Sequence, residues 1–194
     1  MNILDRVKNI IVDPKREWQV IDSETDTINS LLTKYVLPLS LLPAIGTILG
    51  SLFFGAWGLK YGLITAVVQI VGTILSYYIG SYVIDALAPS FQSEKNINKS
   101  AQLAAYSWTP TYVAGFLGFI PILGWLILLA GWVYSTYVMY LGVTPLKKTP
   151  PDKAVVYVII AIIVMVAIAM IFSFIIGAAI TTAMFRSAYG YPTY

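Results

Sequence analysis

Residues 100–146 read SAQLAAYSWTPTYVAGFLGFIPILGWLILLAGWVYSTYVMYLGVTPL and hold no charged side chain. As one helix, at about 1.5 Å per residue, this stretch would be roughly 70 Å long, against about 30 Å for a bilayer core. One crossing cannot use it up. Near its middle, Gly118 and Gly124 bracket Pro121. Proline removes a backbone donor and clashes with the preceding turn, so a helix tends to end or kink there. The stretch is therefore predicted to form a membrane hairpin, two spans joined by a very short turn without Lys or Arg. Those spans also carry Trp108, Trp125 and Trp132.

The rest of the chain agrees. Of 194 residues, 58% are hydrophobic and only 11% charged, with mean hydropathy +0.78; soluble domains have about a quarter of their residues charged. The net charge of +3 is spread over twelve basic and nine acidic groups, too weak and dispersed for a nucleic-acid partner. Cysteine is absent, which excludes disulfides, thiolate metal sites and thiol nucleophiles. Histidine is absent too, removing the commonest general base and metal ligand. The first six residues contain no apolar run after a basic start, so they are not read as a cleavable signal, and the spans themselves direct insertion.

Residues 1–30 form a cytoplasmic amphipathic segment in this reading. Ile3, Leu4, Val7, Ile10 and Ile11 share one helical face, with Asp5, Arg6, Lys8 and Asn9 on the other. Such a helix either lies in the membrane interface or packs on the protein's own cytoplasmic surface. Asp13-Pro14 marks a second start, an N-cap followed by Pro at the first helical position. Trp18 and Ile21 then share a face, and Trp18 suits the half-wet headgroup region. Asp22, Glu24 and Asp26 read as a solvated linker.

Residues 31–186 make the transmembrane domain, with spans at 35–57, 61–84, about 101–119, about 122–142 and 154 to about 185; a short extracytoplasmic tail follows at 187–194. The fold class expected is an all-α polytopic membrane protein, a five-helix bundle with short amphipathic N-terminal helices. Pro38 and Pro43 predict a bend in the first span, and Gly46 with Gly50 permits close helix approach. With five spans, ten basic residues fall on one side and two, Lys60 and Arg186, on the other. The excess places the N-terminus in the cytoplasm and the C-terminus outside the cell membrane.

The span interiors hold no Asp, Glu, Lys, Arg or His. Asp85 is expected at the cytoplasmic end of the second span, within reach of water. Gln69, with Thr65, Thr73 and Ser76, either lines a polar path or hydrogen-bonds a neighbouring helix, the commoner role. In Trp108-Thr109-Pro110 the proline kinks the third span, and hydroxyls can take up the carbonyls it frees. No nucleophile–base pair, phosphate loop or metal cluster stands out. The chain therefore reads as no enzyme, with no catalytic residue, metal site or cofactor.

Several patterns come in order: Pro14-x-x-x-Trp18-x-x-Ile21; Ala105-Tyr106-Ser107-Trp108-Thr109-Pro110; Ile120-Pro121 with Gly124; Tyr134-Ser-x-Tyr137-x-x-Tyr140-Leu-Gly142-Val143; and Lys153-Ala154. Together, from about Leu4 into the fifth span, they resemble the prokaryotic branch of the Yip family, the Ypt/Rab-interacting membrane proteins. The resemblance implies five spans, a cytoplasmic N-terminus and an outward C-terminus. Eukaryotic relatives are associated with Rab GTPases and vesicle traffic. This chain departs from them: its N-terminal segment is short and carries no GTPase-binding motif. No catalytic residues transfer.

Three functions fit these residues. The leading one is a non-enzymatic interaction or scaffolding protein, whose partners are the lipid bilayer, other membrane proteins or its own copies. The second is an accessory subunit of a respiratory or transport complex. The third is a transporter or channel for a neutral or apolar solute, using Gln69 and the kink at Pro110.

Overall fold

The computed structural model describes residues 2–55 and 58–189. Among them the regular structure is helical. Two short helices, α1 (Ile3–Val12) and α2 (Pro14–Asp22), precede a bundle of α3 (Ile28–Leu31), α4 (Leu37–Phe53), α5 (Gly58–Leu87), α6 (Ile97–Ser107), α7 (Thr109–Leu117), α8 (Leu123–Lys147) and α9 (Pro151–Tyr189). Four stretches are long and apolar enough to cross a membrane: Ile28–Phe53, Gly58–Phe91, Leu123–Lys147 and Pro151–Phe172. Positions 56 and 57 of the expected first span, and 190–194 of the expected tail, lie outside the described residues.

The expected third span is not one helix. It divides at Trp108 into α6 and α7, of 11 and 9 residues, each too short to cross alone. Pro110 explains the division. It has no N–H to offer the carbonyl of Tyr106, and Trp108 leaves helical geometry at φ −84°, ψ 2°. The first long passage also carries a proline's mark. One π-helical turn, Leu32–Val36, stands ahead of Pro38, and the Leu37 N–H reaches back five residues to Leu32 O.

The helices overrun the expected spans because their ends are packed and capped by protein. Passage one starts at Ile28, where the Thr27 hydroxyl accepts from the Ser30 N–H, and not at 35. α8 continues to Lys147, past the expected end at 142. Between α7 and α8 the turn is short, as the Gly-Pro-Gly pattern requires. Pro121 O accepts the Leu123 N–H across Ile122, which sits at φ +64°. This is a strained γ-turn for a β-branched residue. A Cβ on Gly124 would collide with the Gly118 backbone, so the hairpin needs glycine there.

The bundle has two unlike ends. At one, formed by residues 2–36, 79–107 and 135–161, lie all nine acidic and ten of the twelve basic residues. A core of large side chains sits there, including Ile10, Trp18, Ile21, Leu103, Val138 and Tyr157. Helix α6 is its central rod, buried continuously from Ser100 to Ser107. At the other end the buried positions are small: Ala44, Gly46, Ala66, Ala114, Gly124 and Gly131. Large apolar side chains there, such as Leu52, Val68, Trp125 and Leu129, point outward.

Candidate functional site

The charged end is stitched from the N-terminal helices inward. α1 and α2 form an antiparallel hairpin closed at Asp13, whose carboxylate accepts from the Arg16 N–H and caps α2. Arg6, expected on a solvated face, is buried. It pairs with Glu17 at 2.5 Å and with Glu24, and lies 5.2 Å from the centre of the Tyr106 ring. Asn9 adds a bond to the second oxygen of Glu17. Glu24 is thus drawn into the protein and not left in a solvated linker. Asp22 is likewise held, by Lys148 at 2.8 Å and Lys99 at 3.4 Å. Partial burial alone would raise its pKa, but the two ammonium groups outweigh that and hold the carboxyl below its ordinary range.

Trp18 is not half wet. It is 1% exposed, and its indole lies across Gly142, where an added Cβ would stand 2.5 Å from the ring. Its Nε1–H donates to Val138 O at 2.9 Å, and its edge meets Tyr106. Ile21, one turn on, is fully buried, and Pro14 is buried at the start of α2. The Tyr134 hydroxyl donates to Ile11 O, fixing the hairpin's turn to the middle of α8.

Asp85 is also buried, at 8% exposure, out of the water expected to reach it. Lys147, counted from the sequence as a loop cation, is fully buried beside it. Its Nζ donates to Asp85 at 3.3 Å, to Ser100 Oγ at 2.7 Å and to Asn96 O at 3.2 Å. The reason is topological: α5, α6 and α8 converge there, and the ammonium from α8 satisfies groups on α5, on α6 and on the connection between them. A serine beside a lysine is a known nucleophile–base pairing. Here the lysine Nζ is also bound to the Asp85 carboxylate, and neither residue lines the cleft described below.

Between the two ends lies a belt of polar bonds. The Thr109 hydroxyl donates to Tyr106 O, the carbonyl that Pro110 frees, and shares a bond with the Tyr35 hydroxyl at 2.7 Å. At the next turn Ser135 Oγ accepts the Thr111 N–H and bonds its hydroxyl, tying α7 to α8. Gln69 accepts from the Thr47 hydroxyl at 2.9 Å, joining α4 to α5.

Beside this belt opens a cleft of about 550 Å³ between α5, α7 and α9. Gln69, Thr73, Ser76 and Trp108 line it along with Tyr112, Met165 and Phe172. Gly72 faces open space in it, whereas Gly80, two turns along, is filled by Met165. The volume and the mainly apolar lining with a few polar groups are those of a small-molecule site.

The structure thus sorts the candidate residues into three places. Pro14, Trp18 and Ile21 belong to the charged end. Gln69 and Trp108 share the cleft, with Thr109 and Pro110 shaping the kink behind it. Pro121 and Gly124 form the far turn. The Arg6–Glu17–Glu24 and Asp85–Lys147–Ser100 groups escape sequence reasoning. One signal was available: Arg6 stands three residues from Ile3 and four from Ile10, on their face. Among the described residues no group of three or more His, Cys, Asp or Glu could hold a metal ion.

Comparison with known proteins gives a consistent picture. Residues 8–173 match the Yip1 domain. Two curated relatives, each called Inner membrane protein YohC, come from Escherichia coli strain K12 and from Escherichia coli O6:H1 strain CFT073. Each is 27% identical, with 72% of this chain and 77% of the relative aligned. No solved structure matches significantly.

Proposed function

The chain belongs to the Yip1 domain family of integral membrane proteins, and from that premise we propose a non-enzymatic interaction protein of the cell membrane. It crosses the bilayer five times, α6 and α7 serving together as a broken third passage. The charged end faces the cytoplasm, and the chain's C-terminal end lies outside. One observation supports this above others: the buried charged groups are consumed in holding the protein together. Arg6, Glu17, Asp85 and Lys147 all face protein partners, leaving the apolar end to meet lipid and membrane partners. Native mass spectrometry in mild detergents tests it. The expected result is a homo-oligomer or a co-purifying membrane protein; a lone monomer across several detergents would contradict it.

The cleft favours a second reading, in which the protein takes up a neutral or apolar solute. Its volume and the Gln69 and Trp108 walls support this. Flux into reconstituted vesicles is the test. Unchanged flux in Gln69→Leu and Pro110→Ala variants would remove those residues from the pathway.

A further inference from the structure

We propose that the outer face of the α1–α2 hairpin is a binding surface for anionic phospholipid headgroups. The observation behind it is how deep the hairpin sits. Its turn is bonded through Ile11 O to Tyr134, thirteen residues before the end of α8, or about 20 Å along the helix axis. Tyr134 is next to Ser135, which bonds Thr111 in the first turn of α7. The hairpin's tip is therefore level with the start of the apolar end, while exposed apolar side chains on α9 begin as far back as Val155. On its own flank the hairpin stands where lipid covers the others. Trp132, Tyr137 and Tyr140 of α8 are exposed, and the Tyr137 ring meets that of Tyr134, which holds the hairpin's turn; exposed aromatics of this kind suit a headgroup layer.

The hairpin's chemistry fits that position. Leu4, Lys8 and Val12 recur at four-residue spacing along α1 and all are exposed, Leu4 at 71% and Val12 at 73%. On α2, Lys15, Arg16 and Val20 are exposed as well. Lys8, Lys15 and Arg16 form no ion pair among the described residues, because Glu17, Asp22 and Glu24 are turned inward to Arg6, Lys99 and Lys148. Of the hairpin's carboxylates only Asp5 and Asp13 stay outside, Asp13 also capping α2, so three cations face two carboxylates there. Apolar side chains that enter the acyl boundary, with cations reaching back to phosphate, are the makings of an interfacial lipid site.

The test uses the full-length protein in micelles doped with equal phosphatidylglycerol and phosphatidylcholine. Native mass spectrometry should find phosphatidylglycerol retained with a preference of about tenfold or more, as expected from several cations near a membrane surface. A Lys8→Gln, Lys15→Gln, Arg16→Gln variant should lose that preference with its thermal midpoint unchanged. A spin label at Val12→Cys, in a chain with no native cysteine, should be relaxed by oxygen more than by an aqueous nickel chelate. Equal retention of the two lipids by the wild type would overturn the proposal. So would a preference that survives in the triple variant, or a Val12 label that meets the aqueous reagent or a second copy of the chain in place of lipid.

Discussion

The charged end and the apolar end of this bundle are held together by different means. At the charged end Trp18, Ile21, Leu103 and Tyr157 are interlocked, and ion pairs are buried among them. At the apolar end glycine and alanine let backbones touch, and the large side chains face out. Water explains the first: burying big apolar side chains yields free energy only where the alternative is aqueous. Lipid explains the second: a leucine gains little by leaving hydrocarbon for protein, so close backbone contact and hydrogen bonds drive association. The contrast is the one expected of a bundle whose small-residue end lies in the bilayer.

The sharpest way to break the comparison is the buried pair. Lys147→Met leaves Asp85 buried and uncompensated, and should cost about 3–5 kcal/mol of stability in detergent unfolding. Adding Asp85→Leu should recover most of that loss, because a well-packed apolar pair replaces the ions. At the other end, Gly46→Leu drives a Cβ to 2.7 Å from the carbonyl oxygens of Gly115 and Phe116. Forcing α4 and α7 apart should cost about 1–3 kcal/mol in the same assay. Gln69→Leu removes one interhelical bond from Thr47 and should cost only about 0.6 kcal/mol. The smallest effect concerns pH. Asp22 is held below its ordinary value of 3.8 by Lys148 and Lys99, so its stabilisation is present above that value and lost as pH falls through the lowered one. Melting curves of wild type and Asp22→Asn should therefore differ at pH 7 and draw together only as pH falls below 3.8.

Much of the apolar end was legible in the sequence. Charge-free runs, Pro38, Pro110 and the Gly118–Pro121–Gly124 punctuation act locally, through missing donors and backbone sterics. The expectation that a hydroxyl takes up a carbonyl freed by Pro110 is met by Thr109 at Tyr106 O. The charged end was harder to read because its bonds join residues far apart in the chain. Lys147 and Asp85 each close an apolar run, which reads as an aqueous boundary; only their convergence with Ser100 makes them a core. Trp18 has the composition of a headgroup residue, and what buries it is the absence of a side chain at Gly142, 124 positions away. The cleft was half visible. Gln69 and Trp108 were singled out separately, but nothing local says that α9 brings Met165 and Phe172 to face them.

The measurement that bears most directly on the account is sidedness of the two ends. Single cysteines at Glu94, in the charged end, and at Ile122, in the far turn and 84% exposed, would be labelled with a membrane-impermeant maleimide. Ile122→Cys should react in intact spheroplasts and Glu94→Cys only after permeabilisation. If both react from the same side, α6–α7 and α8 do not carry the chain across the bilayer and back, and the two-ended membrane protein described here is wrong.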